Sequence, residues 1–197
     1  RAYGSEQFAF VGTESGTEEI WLANIDGSKL RKLSDFGAER HYLELLWSHD
    51  ARFFVGLTLN EIHIVDAKTG DYSPLKISQS DIRGVSLKND RVLAYSVKVA
   101  GKWRIHHYDL KSHRVSVLDN QWQFVRYAGS SEDTIWLDQK GNVYAGEVPK
   151  RVSAEFLKDV MPLARASLNL RKIGDRWYWQ EWHGGHYRLM EKSGEKP

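Results

Sequence analysis

Residues 20–33 read IWLANIDGSKLRKL. Alternating apolar residues, Ile20 and Leu22, lead into Asn24, Asp26, Gly27 and Ser28, and a second alternating run ends at Leu33. Apolar alternation on both sides of an Asn/Asp/Gly/Ser cluster predicts two strands joined by a tight polar turn. The layout returns in residues 62–75, IHIVDAKTGDYSPL, with Asp66 and Gly70 at the turn. It returns again in residues 105–118, IHHYDLKSHRVSVL, with Asp109 and Ser112 there.

Outward from these hairpins the chain divides into five units, residues 7–36, 41–76, 82–119, 122–157 and 166–194, within one domain covering 1–197. The first unit adds a short apolar strand over 8–11 and a Gly/Ser/Thr-rich loop over 12–18. The second adds strands over 43–47 and 53–57 around the turn Ser48-His49-Asp50. The third adds 82–87 and 92–97 around Lys88-Asn89-Asp90. In the fourth, strands are expected over 124–128, 135–137 and 143–148, and the stretch 153–163 suits a helical turn capped by Ser153 and stopped by Pro162. The fifth has strands over 168–173, 177–182 and 187–190, the last two joined at Gly184-Gly185.

The third strands start at Ile20, Ile62, Ile105, Val143 and Tyr187. A period of about forty residues with four short strands per unit is the signature of an all-β fold, the β-propeller of four-stranded blades. One blade cannot bury both faces of its own sheet, so stacked neighbours make the core. Eight Trp, nine Tyr and seven Phe suit the wedge between twisted sheets. A β-sandwich, the alternative, does not need so regular a period. The first unit lacks its innermost strand and the last its outermost. The segment is therefore expected to be either part of a larger propeller or a five-blade ring whose ends meet. An open arc would aggregate or pair with another copy through its bare edges.

Composition narrows the function classes. With 197 residues, 41% hydrophobic and 27% charged, the chain has the make-up of an ordinary globular domain. The net charge of +2 comes from interspersed signs, which leaves no electrostatic footprint for nucleic acid. The absence of cysteine excludes disulfides, thiolate zinc sites and cysteine nucleophiles. No apolar run reaches the length of a membrane span, and no signal peptide is visible. The chain starts at Arg1 without Met, which predicts an excised portion of a longer protein.

Candidate chemistry is sparse. A Gly184-Gly185 turn sets His183 and His186 across a hairpin with Cβ atoms about 5 Å apart, an arrangement able to share a zinc or copper ion. Glu181 has the parity to join them, yet a metal site needs more ligands than these, and solvated histidines beside a turn are the simpler reading. His106, His107 and His113 invite a pH-sensing role, but adjacent strand residues face opposite ways, so His106 and His107 do not share a site. Trp177, Trp179 and Glu181 share one strand face while Tyr178, Gln180 and Trp182 share the other. Such aromatics stack on sugars or cations, or simply fill the wedge between blades. No nucleophile elbow, helical zinc-ligand pair, phosphate loop or calcium loop is present. Neither a catalytic residue nor a cofactor is expected.

The succession IWLANIDGSKLRKLS, WSHDARFFVG and IHIVDAKTGDYSPL resembles the TolB-type, WD-like propeller repeat, whose hairpin is followed by a W-S-P-D-G turn. Trp47-Ser48-His49-Asp50-Ala51 departs from that turn by His for Pro and Ala for Gly, and later copies keep only the Asp, at Asp90 and Asp175. In the family these polar turn residues serve the blade's own hydrogen bonding. TolB itself is a periplasmic scaffold, and similar propellers gate prolyl-oligopeptidase-type enzymes. The stretches GKWRIHHYDLKSHRVSVL and DNQWQFVRYAGSSEDTIWL look most like a third setting, the extracytoplasmic part of membrane-anchored regulators similar to CadC and ToxR. That resemblance implies a non-enzymatic sensing or protein-interaction domain in the periplasm. It implies a protein or small-molecule partner and a winged helix elsewhere in a membrane-anchored parent.

Overall fold

The computed structural model describes residues 6–14, 16–35, 41–77, 81–158 and 170–194. Their strands fall into five small sheets in which neighbours in sequence are neighbours in space. The first sheet is β1 (Gln7–Glu14), β2 (Thr17–Asn24) and β3 (Arg31–Lys32). The second is β4 (Glu44–Trp47), β5 (Phe53–Leu57), β6 (Ile62–Asp66) and β7 (Tyr72–Pro74). The third is β8 (Ile82–Leu87), β9 (Val92–Val99), β10 (Lys102–Asp109) and β11 (Val115–Val117). The fourth is β12 (Trp122–Arg126), β13 (Ile135–Asp138), β14 (Val143–Ala145) and β15 (Lys150–Arg151). After one helical turn, α1 (Ala154–Leu157), comes the fifth: β16 (Arg171–Ile173), β17 (Arg176–His183) and β18 (His186–Ser193). Antiparallel meanders of three or four strands, repeated along the chain, are the blades of a β-propeller.

The chain divides into two compact units, residues 1–93 and 94–197, with the division inside β9. In the first, Ile20, Leu22 and Leu33 pack with Phe54 and Val65, so the first two sheets share a core. In the second, Ala94 and Ile105 meet Trp122, Val125 and Trp136. A further cluster there joins Phe124, Ile135, Leu137 and Val143 to Trp177 and Trp179. The period-two alternation of a strand explains how one sheet serves two neighbours: along β13, Trp136 enters the first of these clusters while Ile135 and Leu137 enter the second.

Several boundaries differ from the sequence expectation. Residues 12–14 and 17–18, expected within a loop, are strand. Every residue from Gln7 to Glu14 has a partner in β2, down to Glu14 opposite Thr17. Gly12 is there for space, since a Cβ would stand 2.9 Å from Cδ1 of Trp21. In the fourth unit the strand expected over 143–148 ends at Ala145, and the short β15 follows. Ser153 does cap a helical turn, its Oγ accepting the Phe156 N–H at 3.1 Å; Pro162 lies outside the described residues. The final hairpin is longer at both ends than its apolar residues alone suggest, pairing Arg176 with Ser193 through to His183 with His186.

Candidate functional site

The turn carboxylates are the first functional candidates, and they are committed to the backbone. Asp66 Oδ1 accepts the N–H groups of Lys68 and Thr69, each at 2.8 Å. Asp109 accepts those of Lys111 and Ser112 at 3.0 and 2.7 Å, and Asp138 those of Lys140 and Asn142 at 2.8 Å. Hydrogen bonds to the ionised form hold an acid below its ordinary value. The Ser28 hydroxyl and amide do so for Asp26, and the Thr69 and Lys68 amides for Asp66. At Asp138 burial pushes upward, but Asn142, Lys140 and Tyr144 together outweigh it.

A second set of turns joins sheet to sheet. Asp50 serves its own turn, accepting the Ser48 hydroxyl at 2.9 Å and the Arg52 N–H at 3.1 Å. Asp90 instead reaches back to the preceding sheet, where its Oδ1 accepts the His49 N–H at 2.6 Å. Asp133 reaches forward, accepting the Gly174 N–H at 3.0 Å and the Lys172 ammonium at 2.9 Å. Reading the motif acids as purely local is right for Asp50 and incomplete for Asp90.

Four histidines meet tyrosines. His63, 1% exposed, lies between Tyr42 Oη at 3.0 Å and Glu61 Oε2 at 2.9 Å. His106 is buried 3.4 Å from Tyr95 Oη. His107, on the opposite face of β10, meets Tyr127 Oη at 3.0 Å, and His113 meets Tyr108 Oη at 2.9 Å. Burial, with Arg104 nearby, holds His106 below its ordinary value, and burial pushes Tyr127 up to about 12. The two neighbouring histidines therefore have separate tyrosine partners.

The last hairpin collects the remaining candidates. Gly184 and Gly185, with φ of +52° and +94°, form its turn, a conformation glycine adopts at little cost. His183 lies opposite His186 in the ladder. Glu181 is buried; its Oε1 accepts the Trp179 indole N–H at 2.7 Å and its Oε2 lies 3.0 Å from His183 Nε2. The indole first, then the histidine, hold this carboxyl below its usual range. His186 Nε2 accepts from Arg188 Nε at 3.2 Å. Among the described residues no group of three or more His, Cys, Asp or Glu side chains is placed to hold a metal ion.

Two clefts of about 440 Å³ lie in the second unit. One has Phe156 and Trp177 with Lys150, Arg151 and Lys172 on its walls. The other has Trp103 and Arg104 with Gln139, whose amide N–H groups are spent on the carbonyls of Trp103, Asn120 and Trp122. Exposed apolar side chains are scattered over the described residues, and three of them gather on one face of the last hairpin. There Trp182 and Tyr187 meet edge to face at 4.9 Å, with Leu189 beside them. Sequence reading singled out the tryptophans but not Leu189, because a strand's composition is the same whether or not a neighbour covers its face.

No protein-family model matches the sequence, and no curated protein matches it either. Solved structures do. TolB from Acinetobacter baumannii superimposes over 95% of this chain and 50% of its own, with a TM-score of 0.65 at 16% identity. A chain of the nidogen/laminin complex does so over 92% of this chain and 70% of its own, with a TM-score of 0.63 at 11% identity. The acylaminoacyl peptidase of Pyrococcus horikoshii covers 96% of this chain and 36% of its own, with a TM-score of 0.57 at 13% identity. These likenesses establish the propeller fold; the chain spans half the length of the TolB chain it is similar to.

Proposed function

We propose that this chain is a non-enzymatic protein-docking propeller of the TolB type. The observation that carries the reading is the disposition of its side chains. The hairpin-turn carboxylates of Asp66, Asp109 and Asp138 are spent on their own turns' backbone, while Trp182, Tyr187 and Leu189 stand together in solvent. Exposed aromatics of this kind anchor protein interfaces. Similarity to TolB and to a chain of the nidogen/laminin complex supports the same reading. The finer assignment, the periplasmic propeller of a CadC/ToxR-like winged-helix regulator in a membrane-anchored parent, is supported by the stretches around residues 101–118 and 119–137.

The test is a thermal-shift screen of the purified chain against metals, amines, sugars and a library of extended peptides, because whatever binds only the folded state raises its melting temperature. Docking predicts shifts from members of the peptide library and none from the small molecules. A saturable shift from a sugar, amine or metal with a flat peptide library contradicts it.

A further inference from the structure

Charge is unevenly spread along the chain. Residues 81–118, the third sheet and its turns, carry eight Lys or Arg against three Asp, whereas the whole chain has a net charge of +2. Two of those acids are spent on backbone amides: Asp90 accepts the His49 and Asp50 N–H groups, and Asp109 those of Lys111 and Ser112. At the end of the sheet that carries the Ala100-Gly101 turn, Lys98, Lys102 and Arg104 make no hydrogen bond or ion pair among the described residues. The surplus there is not neutralised by pairing within those residues.

The turn fixes what faces the cleft between the third and fourth sheets. Ala100 and Gly101 both have positive φ, +50° and +80°, the two-residue turn that sets the last residue of one strand opposite the first of the next. Val99 thus stands opposite Lys102, Lys98 opposite Trp103 and Ser96 opposite Ile105. The Ser96 hydroxyl donates to the Gln123 carbonyl at 2.7 Å, and Ile105 shares a cluster with Trp122, so this face looks at the fourth sheet. A period of two puts Lys98 and Trp103 on it. Here lies the cleft of about 440 Å³, with Trp103 from the third sheet, Gln123 and Gln139 from the fourth sheet and its turn, and Lys102 and Arg104 also among its lining residues. Every lining residue lies within the described run 81–158. A Cβ on Gly101 would meet nothing within 4 Å, so the hairpin tip does not close the mouth.

The two glutamines have fixed orientations. Gln139 Nε2 gives its N–H groups to the carbonyls of Trp103, Asn120 and Trp122, and Gln123 Nε2 donates to that of Asp138 at 2.8 Å. A flipped amide would set oxygen against oxygen, so the nitrogens are held there and each Oε1 is left as an acceptor that no described residue fills. We infer that this cleft is a docking site for an acidic peptide of a partner protein. An Asp or Glu carboxylate meets the cations at Lys98, Lys102 and Arg104, peptide N–H groups donate to Oε1 of Gln123 and Gln139, and an apolar neighbour lies on the Trp103 ring. Charge complementarity chooses the occupant, since a basic peptide is repelled and a neutral one leaves the cations unmet. The inference rests on the protein-docking reading and adds the chemistry of the partner.

The probe is a blocked tetrapeptide, acetyl-Leu-Asp-Glu-Leu-amide, titrated into the 197-residue chain with the amide NMR spectrum as the readout. The expected result is saturable shifts of the backbone amides in 101–104 and of the side-chain amides of Gln123 and Gln139. The neutral counterpart, acetyl-Leu-Asn-Gln-Leu-amide, binds about tenfold more weakly because the charge-assisted hydrogen bonds are lost, and added salt weakens the acidic peptide. Lys98→Glu, at an exposed position that leaves the fold and the melting temperature intact, abolishes binding. No saturable shift at millimolar peptide overturns the inference. So do equal affinities for the acidic and neutral peptides, undiminished binding to Lys98→Glu, and the same shifts from inorganic phosphate at equal concentration, which would make the cations a simple anion cluster. Peptides that raise the melting temperature while leaving these amides unshifted defeat this site and leave the docking reading standing.

Discussion

Asp138 gathers four hydrogen bonds on one carboxylate, from the Lys140 and Asn142 amides, the Asn142 side chain and the Tyr144 hydroxyl at 3.2 Å. Replacing it with Ala leaves those donors seeking water and costs about 1–3 kcal/mol at neutral pH, measurable by urea denaturation. Its folded value lies below the ordinary 3.8, so this stability is complete above that value and disappears as pH falls through the folded one. The variant loses less than the parent on acidification below about pH 4. His106 has the opposite chemistry and the same direction. Its ordinary value is 6.5 and its folded value is lower. Above 6.5 both states are neutral; below it the unfolded chain takes up a proton that the folded chain refuses, so stability falls. His106→Gln flattens the stability profile between 6.5 and the folded value. An unchanged slope in that window contradicts the burial of a neutral imidazole.

At the scale of elements, the hairpin turns decide how sheets approach. Gly70, at φ +81°, ends the Asp66 turn, and a Cβ on it would stand 2.1 Å from the Leu33 carbonyl oxygen at the end of the first sheet's hairpin. Gly70→Ala is therefore expected to cost about 2–4 kcal/mol, left-handed strain plus a backbone clash, read as a lowered urea midpoint. Gly141, at φ +80° with open space around it, gives the smaller loss of strain alone. Gly70 was legible as a turn residue, because Asx-turn chemistry is local and the spacing from Asp66 suffices to place it. The strands of the first three hairpins were legible for the same reason, since apolar alternation carries them. What escaped was non-local. Residues 12–18 read as a loop because Gly12 counts as a breaker until the Trp21 ring is seen beside it. Asp90 read as local because its partner His49 lies about forty residues away.

At the scale of the whole molecule, successive sheets within each unit share a core. The candidate site was half legible: Trp182, His183 and His186 stood out by type, but their roles turned on exposure and on partners such as Arg188, which no spacing reveals. A protein-docking propeller needs a surface whose polar and apolar groups are both available, and the cleft between the third and fourth sheets offers Trp103 beside Lys98, Lys102 and Arg104, three cations that make no ion pair among the described residues. The decisive measurement is the melting temperature of the chain across the extended-peptide library, sorted by peptide charge. The account predicts that shifts come from acidic peptides and vanish in Lys98→Glu. A library flat at every charge, or shifts from basic peptides that survive Lys98→Glu, would contradict it.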